Sequence, residues 1–196
     1  TGNLLPKAQV LQTIELFKDS AIVVIDEAYI EFSPEETSIS LLNKYNNVII
    51  LRTLSKAFAL AGLRCGFTLA SSNIITLLSK VIAPYPISAP VAEIASKALS
   101  TDLDKMTQRV QHCNTTKVSL SAWLSEQAWC SNVFTSDANF ILFRCINEHE
   151  KTRIFNLLVS KNILIRDQSK QLQLDNCLRI SIGSDQEITQ LKEVLS

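Results

Sequence analysis

The chain has 196 residues, 46% of them apolar, and its 19 Lys plus Arg are matched by 19 Asp plus Glu. That length holds one large domain or two small ones, and that apolar share is ordinary for a globular protein with a real core. Zero formal charge and the lack of a Lys/Arg tract argue against nucleic acid as a partner; no apolar run approaches the roughly 20 residues of a membrane span, so no membrane partner is expected.

Thr1-Gly2-Asn3 shows no basic segment followed by an apolar one, so no signal peptide is read there. From Pro6 to Lys18, apolar residues at 10, 11, 14 and 17 follow a helical spacing, with proline near the first turn. Ala21-Ile22-Val23-Val24-Ile25 is a branched apolar run, predicting a strand buried on both faces and ending in Asp26. Ser33 to Ser38 reads as a loop and Leu41 to Tyr45 as a helical turn. Val48–Leu51 and Gly66–Ala70 read as further strands. Alternating strands and helices predict an α/β fold with crossovers.

Asn73 to Ile82 reads as a helix, broken by Pro84, Pro86 and Pro90. A long helical stretch then runs from Pro90 to about Gln127, interrupted near Thr101-Asp102. Val133–Thr135 and Asn139–Arg144 read as strands, and Glu148–Lys161 as an amphipathic helix. Ile163–Ile165 is a short strand ending at Arg166. Leu178, Ile180 and Ile182 alternate onto one face of a strand, and Asp185 is the expected N-cap of a final helix.

Five cysteines, at 65, 113, 130, 145 and 177, show no CxxC or metal-type spacing. An odd count in a globular composition favours reduced thiols and a cytoplasmic protein. His112 and His149 are far apart and form no helical metal pair, so no metal is expected.

The chemistry concentrates in Thr53-Leu54-Ser55-Lys56-Ala57-Phe58-Ala59-Leu60-Ala61-Gly62, followed by Leu63-Arg64-Cys65-Gly66. A lone lysine is usually an exposed loop residue, and a lone aspartate at a strand end is more often a cap. Together, Asp26 at a strand end, Lys56 among small residues and Arg64 downstream are the parts that hold pyridoxal 5′-phosphate (PLP). The amine links to the aldehyde, the acid pairs with the ring nitrogen, and the cation meets the phosphate. A lysine that attacks a carbonyl must spend time unprotonated and have room to swing, which Ser55, Ala57 and Ala59 leave. A Ser55 hydroxyl and an Arg64 fork suit a phosphate, with Gly62 allowing a close backbone. Gly62-x-x-x-Gly66 is no dinucleotide fingerprint, and the chain has no P-loop.

The lysine run resembles the attachment signature of class-II PLP-dependent aminotransferases. Asp26-Glu27-Ala28-Tyr29, Leu51-Arg52-Thr53, Ala83-Pro84-Tyr85-Pro86, Ala138-Asn139-Phe140, Ile165-Arg166-Asp167 and Leu178-Arg179-Ile180-Ser181 extend the likeness to the histidinol-phosphate aminotransferase family over essentially the whole chain. The resemblance implies PLP-dependent transferase fold type I. Residues 1–88 would be the C-terminal part of a PLP-binding large domain with a mostly parallel sheet. Residues 89–196 would be a small C-terminal α/β domain entered through a long linking helix.

It also implies transamination of histidinol phosphate with 2-oxoglutarate, giving imidazole-acetol phosphate and glutamate in histidine biosynthesis, by a homodimer. Asp26, Tyr29, Ser55, Lys56 and Arg64 would bind the cofactor, with Lys56 catalytic. Arg179, with Arg166 assisting, would bind the substrate anions; for Arg166 a salt bridge to Asp167 or Asp185 is the alternative. The family's Asn-Pro-Thr-Gly segment is represented only by Thr1-Gly2, so the chain reads as the C-terminal portion of a longer enzyme and is expected to be inactive alone. An aromatic aminotransferase, a threonine-phosphate decarboxylase, or a folding or dimerisation module remain alternatives.

Overall fold

The computed structural model describes residues 1–196 and divides them into two compact units, Leu5–Val110 and Gln111–Ser196 with Thr1–Leu4. The division between Val110 and Gln111 falls within the helix Leu103–Ser125. No helix is long and apolar enough to cross a membrane.

In the first unit, α1 (Lys7–Phe17) follows Pro6, whose carbonyl accepts the Gln9 and Val10 amides. Ile14 is its one fully covered residue; Leu11 and Phe17, expected on the same stripe, face water. Strand β1 (Val23–Asp26) runs parallel to β2 (Val48–Thr53), and β3 (Gly66–Ala70) pairs antiparallel with β2, giving the order β1-β2-β3. The core is Ile14, Leu41, Val48 and Ile50, with Val10, Val23, Ile25 and Leu69 against it.

The expectation that β1 is buried on both faces fails. It has a partner on one side only, its residues alternate between half-buried and exposed, and Val24 is 55% exposed. The 33–38 loop contains a 3-10 turn at Pro34–Glu36, flanked by turns at Ile30–Phe32 and Ile39–Asn43. Helix α2 (Ser72–Ser79) ends before the three prolines. Helix α3 (Ala89–Ser100) and α4 (Leu103–Ser125) are separated at Thr101-Asp102, as the sequence predicts.

The second unit pairs β4 (Cys130–Val133), β5 (Phe140–Cys145), β6 (Arg166–Asp167) and β7 (Cys177–Ser181) antiparallel in the order β4-β5-β7-β6. Period-2 alternation puts Ile141, Phe143, Cys145, Leu178 and Ile180 on one face. There they meet Leu120 and Leu124 of α4, Ile154 and Leu158 of α5 (Glu148–Ser160), and Ile188, Leu191 and Leu195 of α6 (Asp185–Leu195).

Two local expectations are corrected here. The short strand lies at 166–167, not 163–165, which puts Arg166 inside a strand pair. The cap of α6 is Ser184, not Asp185: the Ser184 hydroxyl accepts the Glu187 amide while the Glu187 carboxylate accepts the Ser184 amide.

Candidate active site

A parallel pair aligns strand ends. The register Asp26↔Leu51 brings the carboxyl ends of β1 and β2 to the same side of the sheet, where open α/β sheets bind ligands. Past Asp26 the ladder gains one more bond, from the Glu27 amide to the Leu51 carbonyl at 2.9 Å. Asp26 Oδ1 accepts the Ala28 amide at 3.0 Å, a side-chain-stabilised turn that reverses the chain toward Tyr29.

On the β2 side, Thr53 Oγ1 accepts the Ser55 amide at 3.0 Å and lies 2.9 Å from Ser55 Oγ. Leu54 is fully buried; its amide bonds the Cys65 carbonyl and its carbonyl accepts the Leu60 amide. The Ala59 amide closes on the Lys56 carbonyl at 2.9 Å, with Ala59 held at φ 58°. This knotted loop leaves Lys56 half-buried, with Nζ 5.1 Å from the centroid of the Tyr29 ring. That separation is within cation–π range.

Arg64 follows a 3-10 turn at Ala61–Leu63, in a left-handed conformation (φ 53°), and donates to the Ala61 carbonyl at 2.9 Å. Gly62 has open space around it, whereas Gly66 is closely approached by the neighbouring strand. A Cβ on Gly66 would stand 2.8 Å from the Arg52 carbonyl oxygen.

The sequence reading missed a polar group behind these residues. Glu27 is 5% exposed. It receives Arg52 Nη2 at 2.8 Å and the Ser38 amide at 2.5 Å. Both residues lie inside motifs already singled out, where they read as flanks of Asp26 and Thr53. Glu31 lies near the same pair. Burial pushes its carboxyl above the ordinary range and the Glu27 charge pushes the same way, against its own backbone and Arg52.

In the second unit, Arg166 and Arg179 are register partners on β6 and β7 and so share one face of the sheet, with Arg179 4.6 Å from the Phe140 ring centroid. The acids offered as partners for Arg166 are engaged elsewhere: Asp167 with Lys151 at 3.3 Å, Asp185 with His112 at 3.2 Å. Two adjacent guanidiniums repel unless an anion lies between them.

The five cysteines are free thiols. Burial first, then the neighbouring Cys130, Cys177 and Glu150, push Cys145 up to about 12. It is no nucleophile at neutral pH.

The donor set of the first unit is an amine over an aromatic ring, a carboxylate at a strand end, a hydroxyl and a guanidinium. It fits an aldehyde-bearing pyridinium phosphate and no metal.

The chain belongs to the aminotransferase class I and II family, whose model matches residues 1–195. It is 65% identical to the histidinol-phosphate aminotransferase of Colwellia psychrerythraea over all of its own length and 54% of that protein's. It is 53% identical to the enzyme of that name from Pseudoalteromonas atlantica, covering 52% of it. The fold also matches the crystal structure of the Sinorhizobium meliloti histidinol-phosphate aminotransferase in complex with pyridoxal 5′-phosphate. That match has TM-score 0.87 at 25% identity, covering 100% of this chain and 53% of that one. The chain thus spans about half the length of the curated relatives it matches, and its fold is that of PLP-dependent transferases of type I.

Proposed function

We propose that this chain is part of a PLP-dependent aminotransferase that moves the amino group of L-histidinol phosphate to 2-oxoglutarate in histidine biosynthesis. The carrying observation is Lys56, held by a self-bonded loop with its amine over Tyr29 and flanked by the aligned ends of β1 and β2. The names of relatives at 65% and 53% identity support the same substrate.

When bound, the cofactor supplies an electron sink for the carbanion left when a substrate loses its α-proton. Lys56 Nζ would hold the cofactor covalently, then, released, take the proton from the substrate α-carbon and give one back. Asp26, at the end of β1, would keep the ring nitrogen positive. The Tyr29 hydroxyl would meet the ring oxygen, while Ser55 and Arg64 would hold the phosphate. In the second unit, Arg179 with Arg166 would take the substrate anion: the phosphate of one substrate, the carboxylate of the other. The full protein would act as a cytoplasmic homodimer.

Borohydride reduction of the full gene product with PLP, followed by peptide mapping, tests the centre of this reading. The tag is expected on Lys56, and Lys56→Ala is expected to lose on the order of 1000-fold or more in turnover. A tag elsewhere, or none, overturns the assignment. Phenylalanine or tyrosine turned over far better than histidinol phosphate would keep the cofactor chemistry and reject the substrate.

A further inference from the structure

We infer that Glu27 is a positioning residue for Lys56, acting through Arg52 to lock together the two strand ends that carry the site. The inference rests on the reading of Lys56 given above.

Both carboxylate oxygens of Glu27 are in use. Oε1 accepts the Ser38 amide at 2.5 Å; Oε2 accepts Arg52 Nε at 3.1 Å and Nη2 at 2.8 Å. The Thr37 hydroxyl closes the group, donating to Oε2 at 3.0 Å while accepting Arg52 Nη2 at 2.7 Å. Three segments meet in this group: the end of β1, the 37–38 loop and β2.

The side-chain link from Glu27 to Arg52 lies beside the main-chain link from Glu27 to Leu51, so β1 and β2 are tied twice at one level. On the opposite side of β2, Gly66 of β3 sits against the Arg52 carbonyl, at a spacing no Cβ would allow. Arg52 is therefore held from both neighbouring strands.

What hangs from this clamp is the reactive machinery. Two residues beyond Glu27 is Tyr29, whose ring lies under the Lys56 amine. One residue beyond Arg52 is Thr53, whose hydroxyl fixes Ser55, the neighbour of Lys56. Glu27–Arg52 is also the most buried ion pair in the chain, with the two side chains 4% and 20% exposed.

A buried pair of this kind adds little net stability over an apolar replacement of the same shape, because desolvation offsets the attraction. Its use is geometric. Reacting groups must be held to roughly 0.5 Å, and side chains behind them supply that precision. Buried Leu54, Ala57 and Phe58 pack the Lys56 loop, and the Glu27 group adds to them the directional bonds that apolar contact lacks.

The test uses the full gene product. Three quantities are measured: PLP affinity by absorbance titration, the rate at which borohydride fixes PLP to Lys56, and the thermal midpoint without cofactor. Glu27→Gln is compared with Ile14→Ala, a core variant of the same unit outside the site. Glu27→Gln is expected to weaken PLP binding and slow fixation at Lys56 on the order of 10- to 100-fold, the scale of a misplaced reacting group. Ile14→Ala is expected to lower the thermal midpoint and leave both other readouts within about twofold, since Ile14 lies on α1 and takes no part in the Glu27 group.

A Glu27→Gln protein that loses no more affinity or fixation rate than the Ile14 variant overturns the inference. If Glu27→Gln does not fold, Glu27→Asp and Arg52→Lys decide, since both keep the charge while the first shortens the carboxylate's reach and the second loses the two-nitrogen grip. Wild-type values in that pair overturn it as well. Failure of the underlying reading looks different: the unsubstituted protein itself would fix no PLP at Lys56.

Discussion

Residues 111–196 and residues 5–110 each build one sheet but treat its faces differently. In the former, three helices cover one face and a thirteen-residue core closes between them. In the latter, four residues form the cluster under the sheet, and seventeen of the chain's twenty-two exposed large apolar side chains belong to this unit. Around the reactive lysine, buried Leu54, Ala57 and Phe58 are joined by polar ties, the Glu27–Arg52 pair and the Thr53–Ser55 bond. A few directional bonds at a strand end fix orientation in a way that apolar contact alone does not.

The largest test of this contrast is truncation on either side of it. Phe143 is fully buried, with Trp129 edge-on at 5.8 Å, so Phe143→Ala is expected to cost about 3–5 kcal/mol. Ile50→Ala, in the small cluster of the first unit, falls in the range of about 2–5 kcal/mol. Val24→Ala, one strand away, is expected to cost less than about 0.5 kcal/mol. Denaturant unfolding measures all three. A cost above about 1 kcal/mol at Val24 means that the outer face of β1 is covered in solution, and the contrast between the units collapses.

Acid separates the units by sign. Asp167 is partly buried, which works to raise its carboxyl. Hydrogen bonds from Ser169 and the Lys151 amine outweigh that and hold it below its ordinary 3.8. A depressed carboxyl contributes stability above its ordinary value and loses it as pH falls through the folded one. With 31% of the side chain exposed, screening limits this to under about 1 kcal/mol.

Glu31 behaves in reverse. Its carboxyl is raised above the ordinary 4.5, first by burial, so its contribution is present in acid and lost as pH rises through the folded value. Asp167→Asn should flatten the loss of stability below pH 3.8, and Glu31→Gln should flatten the gain as pH drops toward 4.5. Equal slopes in both variants and the parent would remove the distinction.

Much of this arrangement is legible in residue order, for identifiable reasons. Branched apolar runs gave β1 and β2, three prolines gave the break after α2, and the motif around Lys56 gave the loop. What was not legible depends on which strand neighbours which. Val24 looks like a core residue until β1 is seen to have one partner, and Arg166 looks like a strand terminus until β7 pairs with it. Glu27 and Arg52 are 25 residues apart, and nothing local shows that they meet. The cap of α6 was misplaced by one residue, because Ser184 and Asp185 are both good caps and only the reciprocal bond with Glu187 decides between them.

The smallest expected effect on stability lies on the first unit's exposed apolar stretch after β3. Leu77, Val81 and Tyr85 follow one another at intervals of four; Val81 is 81% exposed and Tyr85 is 96% exposed. Single exposed apolar residues need no explanation, but several within one short stretch are the place to test for association. Leu77→Glu and Val81→Glu should each change folding stability by under about 0.5 kcal/mol, since neither side chain leaves a packed site. They should, however, reduce self-association of the chain, read by light scattering against concentration. If both charges leave association unchanged, this stretch is not the adhesive part of the first unit, and the outer face of β1 becomes the surface to alter next. If either costs more than about 1 kcal/mol, the stretch is packed in solution, and the first unit is less open than its side-chain exposures describe.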